Sequence, residues 1–228
     1  MLLFLHIPKT GGITLNTIID QQYRPDQIFQ VDGTNVTASA KSLIRMSKAS
    51  QKELKIARGH FAYGFHDNLK VKCHYITFLR HPLARLLSLY NYILRSPTHY
   101  AFDRVKKLSF EDFVLSGVSS ETDNAQVRAV SGIRPKFGDC NQKMLKVAQK
   151  NIQTHFKFVG VTEEFGQSVK KMGRIFRWRN VGYTRENGAP KPTKVSGLTK
   201  SVSNRVISLN RYDSELYDWV CDRLSTYL

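Results

Sequence analysis

Residues 2–7, Leu-Leu-Phe-Leu-His-Ile, run into Pro8-Lys9-Thr10-Gly11-Gly12, and helical spacing follows from Ile13 to Asp20. A short apolar run of this kind is typical of a strand buried in a parallel sheet. A strand, a glycine turn and a helix in immediate succession restrict what the chain can fold into more than any other stretch. Two glycines let the backbone turn tightly and present its N–H groups, while the helix start adds partial positive charge. Lys9 adds a full charge, and Thr10 and Thr14 add hydroxyls. Lys9, Thr10, Gly11, Gly12, Ile13 and Thr14 therefore form a phosphate cradle by mechanism. It is not the nucleoside-triphosphatase loop GxxxxGK[ST], because Lys9 precedes the glycines instead of following them.

The same alternation recurs downstream. Leu54–Arg58 reads as a short strand ending at Gly59-His60, His74–Leu79 as a strong strand, and Phe156–Val161 as another. Helical spacing marks Leu83–Leu94, with Pro82 suited to a first helical turn, and also Phe110–Leu115, Asp123–Val130, Asn141–Thr154, Glu163–Phe176 and Ser208–Tyr227. Residues 21–50 are polar and weakly patterned, which predicts loops with one short helix near Ala40–Met46. Residues 180–203 turn to Gly, Pro, Lys, Thr and Ser, which predicts a long loop of the functional kind. No repeat or linker divides the chain. The expectation is one α/β domain over residues 1–228, a P-loop-like three-layer fold with a central parallel sheet flanked by helices.

Arg80-His81-Pro82, with Arg85, Ser88 and Tyr90 behind it, is the second chemical constellation. Arg80 falls at a strand's C-terminal end, where open α/β sheets bind ligands. Ser88 lies eight residues later, about two helical turns on. Arg80 offers a planar fork to a phosphate and Ser88 a hydroxyl.

Charge agrees with an anionic partner: 35 Lys and Arg against 18 Asp and Glu leave +17. The basic residues are spread along the chain, without the consecutive run of a nucleic-acid-binding arm, and no DNA- or RNA-reading motif is present. No apolar stretch reaches the roughly 20 residues that a membrane span needs. Cys73, Cys140 and Cys221 are too far apart and too few for a disulfide framework or a zinc site, which points to a reducing compartment.

His6-Ile7-Pro8-Lys9-Thr10-Gly11-Gly12 together with Leu79-Arg80-His81-Pro82, Arg85, Ser88 and Tyr90 resembles the membrane-type carbohydrate sulfotransferases. The nearest likeness is to heparan sulfate 2-O- and 6-O-sulfotransferases and their bacterial relatives. Weaker likenesses follow in the same order at Asp123-Asn124-Ala125-Gln126-Val127-Arg128, Phe158-Val159-Gly160-Val161-Thr162-Glu163 and Asp213-Ser214-Glu215-Leu216-Tyr217. The resemblance implies transfer of a sulfuryl group from 3′-phosphoadenosine 5′-phosphosulfate (PAPS) to an acceptor hydroxyl on a carbohydrate, with 3′,5′-adenosine bisphosphate as the product. Lys9 to Thr14 would grip the 5′-phosphosulfate, and Arg80 and Ser88 the 3′-phosphate. Thr184, Arg185 and Lys194 would contact the nucleotide from a closing loop, and Arg128 would help to hold the acceptor. The family's membrane anchor and stem are missing from the sequence, and Ile13 stands where relatives often carry Ser or Thr.

Sulfuryl transfer requires a base for the acceptor hydroxyl and a cation for the departing oxygen. Lys9 suits the second role. His is the side chain for the first, and His60, after a strand and in the Gly-His context of the 2-O enzymes, is the expected base. No metal is required, since positive side chains can hold the nucleotide. A cytoplasmic enzyme of bacterial type is expected, with a Golgi-lumenal domain lacking its anchor as the alternative. Two other functions compete: a phosphotransferase using ATP and magnesium, and a non-catalytic module that binds polyanions. The Lys–Gly order disfavours the first, and two phosphate motifs at successive strand ends exceed what the second requires.

Overall fold

The computed structural model describes residues 1–33, 35–183 and 195–226. Five strands, β1 (Leu2–Leu5), β2 (Ile28–Gln30), β3 (Ile56–Gly59), β4 (His74–Leu79) and β5 (Phe156–Val161), form one sheet in the order β2-β3-β1-β4-β5. Every pairing is parallel. Leu5 lies opposite Gly59 and Leu79 opposite Val161, so the C-terminal ends of β3, β1, β4 and β5 share one edge.

Side-chain alternation along each strand supplies two apolar faces. Phe4, Ile56, Ile76, Phe78 and Phe158 pack on one side against Leu15, Ile18 and Ile19 of α1 (Gly12–Gln22). Val169 and Met172, on a helix running Phe165–Phe176, complete that layer. Leu3, Leu5, Ala57, Tyr75 and Val161 point the other way, onto residues of helices Ala125–Ser131, Gln142–His155 and Arg211–Thr226. The result is the expected α/β fold of a parallel sheet between two helical layers.

Numbered in chain order, the remaining helices begin with α2 (Val36–Arg45) and α3 (Lys48–Glu53). Next come α4 (Pro82–Leu94), α5 (Phe102–Val105) and α6 (Phe110–Leu115), then α7 (Ala125–Ser131), α8 (Gln142–His155) and α9 (Phe165–Phe176). The last two are α10 (Lys200–Leu209) and α11 (Arg211–Thr226). A third apolar cluster joins α4, α5, α6 and α10 through Leu86, Ile93, Val105, Phe113 and Val206.

Three departures from the sequence reading have physical causes. Edge strand β2 lies in the stretch read as loop; its three residues are too few for alternation to register, and it is recruited by pairing with Ile56–Arg58. Residues 200–209 form α10, with Thr199 capping it by accepting from the Val202 N–H, although they fall partly in a segment read as loop. The single terminal helix read from Ser208 is broken at Asn210. That buried side chain accepts from the Asn124 N–H at 2.8 Å and donates to the Thr122 carbonyl at 3.0 Å.

Candidate active site

The turn after β1 sits at the middle of the sheet's C-terminal edge. Lys9 adopts φ 70° and Gly11 φ 85°. For Lys9 the left-handed region costs roughly 1–2 kcal/mol, so something must hold it there. From the β4 side, the Arg80 guanidinium donates to the Lys9 carbonyl at 3.0 Å. From α4, the Tyr92 ring lies 4.0 Å beneath the Lys9 ammonium. Thr162, just past β5, donates its hydroxyl to the Thr10 carbonyl at 2.9 Å and the Leu79 carbonyl at 3.0 Å, tying the turn to β4. Burial and the neighbouring Arg95 and Arg80 charges lower the Lys9 pKa to about 8.

Gly12 opens α1 under the ring of His6. A Cβ on Gly12 would lie 2.0 Å from His6 Nε2, so only glycine fits. No side chain caps α1, and its first turn carries no acidic residue. The N–H groups of that turn are thus available to an anion, with Lys9 and Arg80 beside them. This donor set fits a phosphate or phosphosulfate group. Of the two threonines, Thr10 turns its hydroxyl away from the cradle. Thr10 is fully buried and donates its hydroxyl inward, to the Ile7 carbonyl at 2.8 Å, so its contribution to the cradle is main-chain. Thr14 is buried also, and Ile13, 52% exposed, is the side chain at the mouth of the turn.

On the β3 side, His60 Nδ1 lies 2.8 Å from the His6 carbonyl, and the two rings stack obliquely at 4.4 Å. A carbonyl can only accept, so Nδ1 bears the hydrogen and the neutral ring keeps its lone pair on Nε2. Phe4 stacks on His6 from below at 5.3 Å. His6, read from the sequence as strand-embedded, thus lies just past β1 and beside His60. Burial first, then the charges of His60, Lys9 and Arg58, push the His6 pKa down to about 3, which keeps it neutral.

Lys9, Arg80 and His60 therefore converge on one turn from three adjacent strands. Ser88 is half-buried on α4, one turn before Tyr92 on the same helix, which puts it on the side of α4 that meets Lys9. Thr184, Arg185 and Lys194 lie outside the described residues. Arg128 is a correction. Its guanidinium is buried and donates to the Asp123 carbonyl at 2.6 Å, the Pro135 carbonyl at 2.7 Å and the Lys136 carbonyl at 2.9 Å, and it pairs with the Asp123 carboxylate. An arginine whose donors are turned inward braces α7 and the segment behind it and presents no fork to an acceptor.

The profile of the Sulfotransferase family matches residues 1–220. The chain belongs to the sulfotransferase family. Sulfuryl transfer is the family's reaction. A sulfotransferase from Alicyclobacillus acidocaldarius shares the fold of this sulfotransferase, with a TM-score of 0.54 at 12% identity over 96% of this chain and 94% of that one. Mouse sulfotransferase SULT7A1, complexed with PAP, aligns at 13% identity over 94% of this chain and 64% of that one, with a TM-score of 0.36, too loose to bear on detail. No curated protein matches the sulfotransferase. None of its helices among the described residues is long and apolar enough to cross a membrane.

Residues that the sequence did not single out, Tyr92, Thr162, Glu163 and Gln126, hold the turn and its flanks. Gln126, Thr162 and Glu163 fall within the segments of weaker likeness, which was their signal. Tyr92 had none.

Proposed function

We propose that this sulfotransferase moves the sulfuryl group of PAPS to an acceptor hydroxyl on a carbohydrate by in-line displacement, without a metal. The observation that carries the reading is the gripping of one turn from both sides, by Arg80 at the Lys9 carbonyl and by His60 at the His6 carbonyl. Lys9 and the N–H groups opening α1 would hold the 5′-phosphosulfate, while Arg80 and Ser88 would hold the 3′-phosphate. Thr184, Arg185 and Lys194 would add further contacts to the nucleotide. His60 takes the acceptor's hydroxyl proton at Nε2 as the acceptor oxygen bonds to sulfur. Lys9 meets the charge that gathers on the bridging oxygen as its bond to sulfur breaks. The net charge of +17 supports an anionic glycan as acceptor. The free thiols Cys73, Cys140 and Cys221 support a reducing, cytoplasmic setting.

Calorimetric titration with 3′,5′-adenosine bisphosphate and with ATP, each with and without magnesium, tests the nucleotide. Micromolar or tighter binding of the bisphosphate, weakened by Arg80→Ala, is the expected result. Preference for ATP that emerges only with magnesium would overturn it.

A further inference from the structure

The three segments of weaker likeness meet behind the site. One amide side chain, Gln126, holds both main-chain polar groups of Arg80. Its Oε1 accepts from the Arg80 N–H and its Nε2 donates to the Arg80 carbonyl, each at 2.8 Å. Gln126 is fully buried in the first turn of α7. Its place is fixed from the far side by Asp213 of α11, whose carboxylate accepts from the Gln126 N–H at 3.1 Å and the Val127 N–H at 2.8 Å. Asp213 is itself fully buried. Asn124, in the left-handed region at φ 46°, closes the junction by accepting from the Tyr212 and Asp213 N–H groups at 3.0 and 3.1 Å.

One residue on, the same strand end is held again. Glu163 accepts from the His81 N–H at 3.2 Å and from the Tyr217 hydroxyl at 2.9 Å, and the Tyr217 ring meets that of His81 edge-on at 5.7 Å. Residues 80 and 81 lie just past Leu79, the last residue of β4 paired with β5. An arginine on a long stem is only as well placed as its Cα, and a misplacement of about 1 Å can cost on the order of 10²-fold in function.

We propose that Gln126 is a positioning residue for Arg80, aiming its guanidinium through the main chain, and that Asp213 fixes Gln126 in turn. The inference rests on the reading that Arg80 grips the nucleotide's 3′-phosphate. It assigns a task to the segments at residues 123–128 and 213–217.

The test is calorimetric titration of 3′,5′-adenosine bisphosphate and of adenosine 5′-monophosphate, which differ only in the 3′-phosphate. The proteins are the parent chain, Arg80→Ala, Gln126→Met, Asp213→Asn and the Arg80→Ala/Gln126→Met double variant, each checked for its thermal midpoint. Gln126→Met keeps length and bulk but removes both hydrogen bonds. It should weaken bisphosphate binding roughly 10-fold or more while changing the monophosphate less than about twofold. In the Arg80→Ala background it should add less than about twofold. If Gln126→Met does not fold, Asp213→Asn, which retains one acceptor, must show the same selective loss at smaller size. Equal losses for both nucleotides, no loss at all, or a loss that persists without Arg80 would overturn the proposal. If Arg80→Ala itself fails to separate the two nucleotides, the 3′-phosphate reading falls, and this inference falls with it.

Discussion

His60 Nδ1 stands 2.8 Å from the main-chain carbonyl of His6, and the His6 ring lies 4.4 Å beneath the His60 ring. That carbonyl lies just past β1, at the entry to the turn that carries Lys9, so the bond ties the histidine to the start of that turn. The same bond leaves the His60 lone pair on Nε2. Stacking on a second imidazole would repel if both rings were charged, and burial keeps the lower one neutral.

His60→Ala should lower turnover roughly 10²- to 10⁴-fold, the usual contribution of a general base. Binding of 3′,5′-adenosine bisphosphate should be retained, since no phosphate contact is removed. The assignment does not survive near-normal turnover in this variant with saturating nucleotide.

Lys9 sets an alkaline limit. Its pKa is lowered to about 8, so the ammonium is present below that pH and lost above it. The kcat/KM of the parent enzyme should therefore fall as pH rises through about 8. Lys9→Arg, which stays charged, should shift that fall to higher pH even if its plateau is lower. A profile with the same alkaline limb in both proteins would assign the limb to another group.

Much of this arrangement was legible in the sequence, for reasons that differ by residue. Lys9 and Arg80 follow apolar strands, β1 and β4, whose burial in a parallel sheet makes them conspicuous. The β3 end was readable from Leu54–Arg58 and Gly59, and His60 with it. Arg128 misled because an arginine in a motif looks the same whether its donors face solvent or the Asp123 carboxylate. Gln126 and Asp213 stand 87 residues apart, and their junction arises only when α7 and α11 pack on the same face of the sheet. No local pattern records that.

Gly12→Ala tests the packing of the turn. The added Cβ would meet His6 Nε2 at 2.0 Å, so the imidazole or the turn must shift. Overpacking of this kind costs about 1–3 kcal/mol. The variant should lose both thermal stability and nucleotide affinity, and a crystal structure should show His6 displaced. Parent-like affinity would mean that the turn tolerates movement and that His6 does not fix it.

His6 should also leave a mark on acid stability. Its pKa is about 3 when folded against an ordinary value near 6.5. Between those pH values the unfolded chain binds a proton that the folded chain refuses, so stability falls as pH drops from 6.5 towards 3. The slope is about 1.4 kcal/mol per pH unit inside that window. Asp213 opposes it: burial raises its pKa to about 6, so in the interval down to about 3.8 it favours the folded state as pH falls. His6→Asn removes only the first effect. Its stability deficit against the parent, read from urea midpoints at pH 7, 5.5 and 4.5, should shrink steadily with acid. A constant deficit would show that His6 titrates normally.

Arg128 separates a brace from a substrate contact. Its side chain is 8% exposed and that of Asp123 1%, and the Gly138 N–H also donates to the Asp123 carboxylate, at 2.9 Å. Removing the guanidinium leaves a buried carboxylate without its cation, which costs about 3–5 kcal/mol. For a domain of this size Arg128→Ala should therefore lower the thermal midpoint by roughly 10 °C. Below that midpoint, kcat and the KM for the acceptor should stay within about threefold of the parent, because the substituted side chain faces α7 and the chain behind it. A raised acceptor KM in a variant of unchanged thermal stability would restore Arg128 to the acceptor site and would require the 135–138 segment to open during the reaction.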